Sequence, residues 1–337
     1  MREAIAKAVL GTELDSVSME RAMEAVFSGQ ASAAQIAALL IALRMKGETV
    51  QELAAAARVM RRHCTPVNVT CSGPLLDNCG TGGDGAGTFN ISTVAAIVVA
   101  ACGVAVAKHG NRAASSQSGS ADLLEALGVA VDVPAVRVAD SIDTIGIGFM
   151  FARTYHPAMR HAAPVRSELG VRTLFNLLGP LTNPAGATHQ LLGVYDRDRV
   201  EQVAQVLALL GSKRAWVVHG LDGLDEVSLS APTFVAEIDA GRLVTRELTP
   251  KDFGVEAVNR EALKGGDARF NAAIARSVLS GHKGPQRDAV VINAAAALCV
   301  AGVVDSPREG AVRAAEAIDS GASQAKLEAW VKWGRTA

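Results

Sequence analysis

The segment that narrows the fold furthest is Asp77 to Thr93, which reads Asp-Asn-Cys-Gly-Thr-Gly-Gly-Asp-Gly-Ala-Gly-Thr-Phe-Asn-Ile-Ser-Thr. Five glycines (Gly80, Gly82, Gly83, Gly85, Gly87) stand between a strand beginning at Leu75 and a helix predicted over Ser92 to Cys102. Backbone without side chains lets an anion approach closely. A helix N-terminus adds free N–H groups and the positive end of a dipole, and Asn90, Ser92 and Thr93 add further donors. A merely flexible turn is the bland alternative, but such turns do not usually join a buried strand to a capped helix. An anion site at a strand end is therefore expected.

The two familiar phosphate loops do not fit. Gly80, Gly82 and Gly85 satisfy G-x-G-x-x-G in form. A dinucleotide fold, however, wants an acidic residue about 20 positions later, at the end of the second strand. The second predicted strand, Val104 to Lys108, ends instead in Lys108-His109, and a P-loop's G-K-[ST] is replaced by Gly85-Ala86-Gly87. The following loop, Lys108-His109-Gly110-Asn111-Arg112-Ala113-Ala114-Ser115-Ser116, again lies between a strand and a helix. Two strand ends with phosphate-binding chemistry suit a sugar phosphorylated at both ends.

The rest of the chain places these loops. Residues 1 to about 66 read as helical, with capping boxes at Ser32/Gln35 and Thr49/Glu52, glycine stops at Gly29 and Gly47, and an apolar stripe of Ile36, Leu39, Leu40 and Leu43. Short helices alone make a thin core, so much of that stripe is expected to pack on the remaining chain or on a second copy. Residues 67–74, with Pro66 just before them and Gly73 and Pro74 at their end, read as a hinge. Beyond it, strands and helices alternate, which indicates an α/β domain with a mainly parallel central sheet. A helix over Ala121–Leu127 is stopped by Gly128 and followed by a predicted strand, Val129–Val133. Ala215–His219 is another strand, Thr233–Ile238 with Arg242–Leu248 a hairpin, and Ala289–Val300 and Glu309–Ile318 are long helices.

Composition removes several classes of function. With 33 Lys and Arg against 34 Asp and Glu, and 4% aromatics, neither a phosphate-backbone binder nor a base-stacking platform is well supplied, so no nucleic-acid partner is expected. The five cysteines are odd in number and lack C-x-x-C spacing, which argues for reduced thiols. The longest apolar run, Val94 to Ala107, is shorter than the roughly 20 residues a membrane span needs. Arg2, Glu3 and Lys7 interrupt any leader-like apolar stretch. The expectation is a cytoplasmic protein with no membrane partner.

In these motifs the sequence resembles the anthranilate phosphoribosyltransferases. The resemblance rests on Gly80-Thr81-Gly82-Gly83-Asp84, Asn90-Ile91-Ser92-Thr93, Lys108 to Ser116 and Ser118-Gly119-Ser120-Ala121-Asp122. His156-Pro157-Ala158-Met159, Pro164-Val165-Arg166, Gly170 to Thr173 and Phe175 to Pro180 extend it, as do Leu224-Asp225-Glu226 and Gly281 to Pro285. Ala152-Arg153 departs from the family's usual Ala-Pro, outside the ligand motifs. The resemblance implies a small helical domain (1–66, with a returning segment near 168–190) joined to a larger α/β domain (75–167 and 191–337), substrates at the hinge, and a homodimer through the helices. It implies transfer of a phosphoribosyl group from phosphoribosyl diphosphate to the anthranilate amine, a step toward tryptophan.

By the same resemblance the donor is bound by Gly80, Gly83, Asp84, Thr88, Asn90, Ile91, Ser92, Thr93, Lys108, His109, Gly110, Asn111, Arg112, Ala113, Ala114, Ser115, Ser116 and Ser120. Asp225, Glu226 and Ser92 are implied ligands of Mg²⁺, whose preference is for hard oxygen shared with phosphate; without the resemblance an exposed acidic turn is the simpler reading of Asp225-Glu226. Arg166, with Asn111, Gly80 and His109, is implied to take anthranilate, since a guanidinium pairs bidentately with a carboxylate. Two readings stay open for His109, a wall of the acceptor site or a catalytic proton acceptor for the amine. The competing readings are a pyrimidine nucleoside phosphorylase and a non-catalytic nucleic-acid-binding relative of the same fold. The Lys108–Arg112 loop and the Asp225-Glu226 pair disfavour the first, and the charge balance the second.

Overall fold

A computed structural model describes residues 1–113 and 117–335; Ala114, Ser115 and Ser116 of the second loop lie outside the described residues. The chain opens with four helices, α1 (Arg2–Val9), α2 (Ser16–Phe27), α3 (Ala33–Lys46) and α4 (Val50–Arg62). Both capping boxes form, Ser32 with Gln35 and Thr49 with Glu52, and Gly47 leaves α3 with φ of 86°. Glu52 does more than cap. Its buried carboxylate accepts hydrogen bonds from Leu14 N at 2.9 Å, Thr49 N at 2.8 Å and Lys46 Nζ at 2.8 Å, which ties the α1–α2 link to α4.

Part of the surplus apolar face is covered within the chain. Leu39, Leu43, Leu53 and Val59 share one core with Ala162, Val165, Leu174 and Leu181 of a returning segment and with Leu192, Val203 and Val217 of the larger layer. Pro157–His161 packs against α2 and the helix Ala163–Leu169 against α3. Val9, Leu10, Val17 and Met45 stay exposed, Leu10 and Met45 by more than four-fifths (81% and 83%).

The larger layer is built on a sheet of β1 (Leu75–Gly80), β2 (Ala105–Gly110), β3 (Ile147–Phe151), β4 (His189–Gly193), β5 (Arg214–Gly220), β6 (Thr233–Asp239) and β7 (Arg242–Leu248). Their order is β3-β2-β1-β4-β5-β6-β7, parallel from β3 to β5 and antiparallel over the last two pairs. Alternate residues serve the two faces. Trp216 and Val218 join the core formed with α5 (Ile91–Ala101) and the helix Pro285–Ala301, whereas Ala215 and Val217 face the helical side. The hairpin turn is Ala240-Gly241, with φ of 47° and 82°, the left-handed pair that lets two residues join strands of native twist.

One predicted strand is absent. Val129–Val133 runs as irregular chain, because the place beside β2 is taken by β3 in the register Val106↔Ile147 to Gly110↔Phe151. Val129, Val131 and Val133 still bury their side chains, which explains the strand-like alternation, and Tyr155 Oη donates to the Val133 carbonyl at 2.6 Å. Strand β3 itself is apolar on both faces, so it shows no alternation. Its Gly148 lies where a Cβ would come within 2.7 Å of Ile142 Cγ1.

The connection reverses direction across the sheet between β1 and β4, paired in register down to Gly80↔Gly193. In open parallel sheets such a switch, at the carboxyl ends of the strands, leaves a crevice that loops can line.

Candidate active site

The glycine loop leaves β1 directly at that switch. Thr81 N donates to the Gly193 carbonyl at 2.9 Å, and Thr81 Oγ1 accepts from Tyr195 N at 3.1 Å. Gly82, Gly83, Gly85 and Gly87 have φ between 66° and 75°, which a side chain would disfavour. The loop is clasped from two sides. On one, the Arg172 guanidinium donates to the Gly83 carbonyl while lying 3.9 Å from the centre of the Tyr195 ring. On the other, Gly265 N donates to Gly87 O at 2.9 Å and Phe89 N to Leu263 O at 3.1 Å, beside a bridge between Thr88 and Lys264. A Cβ at Gly265 would meet Phe89 N at 2.6 Å, so this approach requires glycine.

The turn after β5 brings Asp225 and Glu226 to the same place. A Cβ on either Gly80 or Gly193 would overlap Asp225, so the two glycines are what allow this turn to lie across the ends of β1 and β4. Asp225 Oδ2 accepts from Gly82 N at 2.6 Å, and Glu226 Oε1 from Ser92 N at 3.1 Å at the start of α5. Burial and the neighbouring charges, Asp84 on Asp225 and Asp225 on Glu226, push both carboxyls well above the usual carboxylate range. Lys108 lies beneath them, 2% exposed, with Nζ donating to the Asn78 carbonyl at 2.6 Å; burial lowers its pKa and the charges of Asp77, Glu226 and Asp225 oppose that.

Asp225 and Glu226 thus crowd beside the buried Lys108, with Asp84 against Asp225, an arrangement that a divalent cation relieves. Among the described residues no group of three His, Cys, Asp or Glu forms a complete metal cage. Two carboxylates with a serine and no soft donor match Mg²⁺, which keeps waters and phosphate oxygens in its shell.

The second loop is tied to the first through Asn90. Its Oδ1 accepts from Ser118 Oγ at 3.3 Å and Asn271 Nδ2 at 2.9 Å, and its Nδ2 donates to the Ser118 carbonyl at 3.0 Å. The Asn111 carbonyl accepts from Ser120 Oγ at 3.2 Å, and Ala113 N donates to Asp122 at 2.9 Å in α6 (Ser120–Leu127). A Cβ on Gly110 would overlap Ser120. The Arg112 guanidinium is committed to α6, at 3.0 Å from Asp122 and 2.6 Å from Glu125, so its side chain is directed to that helix.

His109 follows Lys108 on β2. Its backbone N–H donates to Asp77 Oδ1 at 3.1 Å, its ring bonds the Gly179 backbone, and Nε2 is buried without a partner. The His156 ring lies 5.0 Å away with neither nitrogen paired. Burial, assisted at His109 by His156, holds the two imidazoles down at about 3 and about 4, so both are neutral at physiological pH. Arg166 sits half-buried with its guanidinium 5.3 Å from the Phe175 ring centre, and burial alone lowers its pKa, with no neighbouring charge contributing. The short stretch Phe175–Gly179 touches Arg166 through the Phe175 ring and His109 through the Gly179 backbone, so both side chains border it.

His156 and Arg172 lie in motifs of the resemblance but carry no assigned role in the sequence reading, which does not single out Gly193, Asn271 or Asn293 at all. The signals that could have found some of them are the glycine ending β4 and the pair Gly265-Gly266, each marking a close backbone approach.

The helical bundle domain of a glycosyl transferase family matches residues 2–64, and the α/β domain of that family matches residues 72–324. An anthranilate phosphoribosyltransferase of Moorella thermoacetica is 54% identical over 334 residues, which cover 99% of this chain and 98% of that protein. The crystal structure of the anthranilate phosphoribosyltransferase of Thermus thermophilus superposes with a TM-score of 0.94 at 50% identity, over 98% of this chain and 99% of that one. The Saccharomyces cerevisiae enzyme in complex with PRPP and Mg superposes with a TM-score of 0.89 at 31% identity, over 96% and 94%. With both domains matched and near-full-length identity of this order, the chain belongs to the anthranilate phosphoribosyltransferase family.

Proposed function

We propose that this chain transfers the 5-phosphoribosyl group of phosphoribosyl diphosphate to the amine of anthranilate, releasing diphosphate. The observation that carries the reading is the placement of Asp225 across Gly80 and Gly193, which puts the carboxylate pair and the glycine-loop donors on one edge of the cleft. The bond from the anomeric carbon to diphosphate breaks and the bond to nitrogen forms, so positive charge grows on the ribose and negative charge on the leaving group. Backbone N–H groups preset at the site of growing negative charge stabilise it without reorganising.

In this reading Gly80, Gly83, Thr88 and Asn90 to Thr93 receive the diphosphate, and Lys108 to Ala113 with Ser120 hold the rest of the donor. Asp84 orders the loop by accepting from Ala86 N at 3.1 Å. Asp225, Glu226 and Ser92 would hold Mg²⁺, which when bound would supply positive charge beside the diphosphate. Arg166 and Asn111, with Gly80, position the anthranilate carboxylate. His109 and His156 wall the acceptor side as neutral rings, and the unpaired Nε2 of His109 can accept a hydrogen bond from the amine. A second copy covers the exposed Val9, Leu10, Val17 and Met45 of the helical layer.

Chromatographic product analysis tests the reading against its nearest rival. Incubation with phosphoribosyl diphosphate, Mg²⁺ and anthranilate should yield phosphoribosyl anthranilate and diphosphate, and incubation with a pyrimidine nucleoside and inorganic phosphate should yield no free base. The opposite pattern would assign the site to nucleoside phosphorolysis.

A further inference from the structure

We infer that Asn293 is a positioning residue for the Asp225-Glu226 pair, acting through the backbone of Val227. The inference rests on the role proposed above for that pair. Asn293 lies in the helix Pro285–Ala301, in the core behind the site, and is 1% exposed. Its Oδ1 accepts from Val227 N at 2.9 Å, and its Nδ2 donates at 2.9 Å both to Val227 O and to Ala289 O, one turn earlier in its own helix. One side-chain amide thus imitates a strand partner for the single residue that follows Glu226.

The need for such a partner follows from the local chain. Segment 221–232 connects β5 to β6 without forming a ladder of its own. At Val227 and Ser228, which are buried, the backbone groups have to find partners elsewhere. On the upstream side the turn is fixed by Gly220 N donating to Leu224 O at 2.9 Å and by the fit of Asp225 against Gly193. Downstream, Ser228 N donates to Thr233 Oγ1 at 2.9 Å. Between those points the Val227 peptide groups are held by Asn293. If the Val227 backbone rotates, the Cα of Glu226 moves with it, and Glu226 Oε1 loses its aim at Ser92 N.

The buried amide is also an unusual choice for this position. Its neighbours in the helix, Ile292, Ala294, Ala295, Ala296, Ala297 and Leu298, are all buried and apolar. A polar group in such surroundings costs stability unless its hydrogen bonds are met. Here they are met by the backbone beside the carboxylate pair, so the residue specifies where that backbone lies.

The test compares Asn293→Ala with Leu298→Ala, a core truncation in the same helix, in the full-length protein. Steady-state kinetics give the apparent constants for phosphoribosyl diphosphate and anthranilate. Electron paramagnetic resonance of Mn²⁺ in the presence of inorganic diphosphate gives a metal-binding constant independent of turnover. Asn293→Ala should raise the donor and Mn²⁺ constants by at least about tenfold while the anthranilate constant stays within about twofold. Leu298→Ala should lower the thermal midpoint yet leave all three constants within about twofold. If Asn293→Ala does not fold, Asn293→Ser carries the test, because its shorter hydroxyl can hold one Val227 group and admits a water for the other; a rise of at least about threefold in the donor and Mn²⁺ constants is then expected. Donor and Mn²⁺ constants unchanged in the folded Asn293 variant, or shifted equally by Leu298→Ala, would overturn the inference. Failure of the underlying reading looks different: Asp225→Asn with Glu226→Gln would itself retain turnover.

Discussion

Arg166 is a half-buried guanidinium with no carboxylate partner among the described residues, and that makes it the sharpest single-residue test of where the acceptor binds. A hydrogen bond to a charged group contributes roughly 1.5–3 kcal/mol, and about 1.4 kcal/mol is a tenfold change in binding. Arg166→Ala should therefore raise the apparent anthranilate constant by at least about tenfold and leave the donor constant nearly unchanged. A raised donor constant with anthranilate spared would make Arg166 a phosphate contact. The two histidines permit a different measurement. In the unfolded chain an imidazole titrates near 6.5, whereas the folded chain holds His109 at about 3 and His156 at about 4. As pH falls below about 6.5 the unfolded chain takes up protons that the native state refuses, so stability present at neutral pH is lost toward pH 4. Thermal midpoints of wild type should fall over that range more steeply than those of His156→Leu. Parallel slopes would mean that His156 is protonated in the native protein.

At the scale of elements the site depends on strand ends that lack side chains. Gly193 ends β4 where a Cβ would overlap the Asp225 carbonyl, and that backbone cannot retreat without moving the carboxylate turn. Gly193→Ala should cost about 1–3 kcal/mol by overpacking and lower kcat more than it raises the anthranilate constant, as denaturant titration and kinetics would show. A variant of wild-type stability and kcat would show that the turn is not seated on β4. The same elements show how much could be read from the sequence. The glycine loop was legible because five residues in one short stretch share one physical demand, and the capping boxes because their partners are three residues apart. Asp225-Glu226 stood out only as an acidic pair, and the resemblance supplied its role. Asn271 and Asn293 carried no local signal, since their partners Asn90 and Val227 lie far off in sequence. His156 carries no local sign of a role in its motif; its burial beside His109 with both nitrogens unpaired is visible only in the fold. Val129–Val133 misled for the converse reason: its alternation reflects burial under Tyr155 and neighbouring helices, which a strand is not required to produce.

For the whole molecule, the helical and α/β layers meet across buried polar ties as well as apolar core. Glu48, 5% exposed before α4, pairs with Arg199 at 3.0 Å, and Arg61 donates to the Leu210 carbonyl at 3.3 Å. Removing one partner of a buried pair leaves the other charge uncompensated, at a cost of about 3–5 kcal/mol. Glu48→Ala should be destabilised by that order in urea titration, and Glu48→Ala with Arg199→Leu should recover part of the loss; a single variant within about 0.5 kcal/mol of wild type would show that the tie does not hold the layers together. Whether the carboxylate turn laid across the β1 and β4 ends drives departure of diphosphate is read in the fluorescence of anthranilate. With phosphoribosyl diphosphate and Mg²⁺ the wild-type protein should deplete that fluorescence. Asp225→Asn with Glu226→Gln should leave it constant even in excess Mg²⁺ while remaining folded by circular dichroism. Turnover by the double variant within a few-fold of wild type would contradict the account.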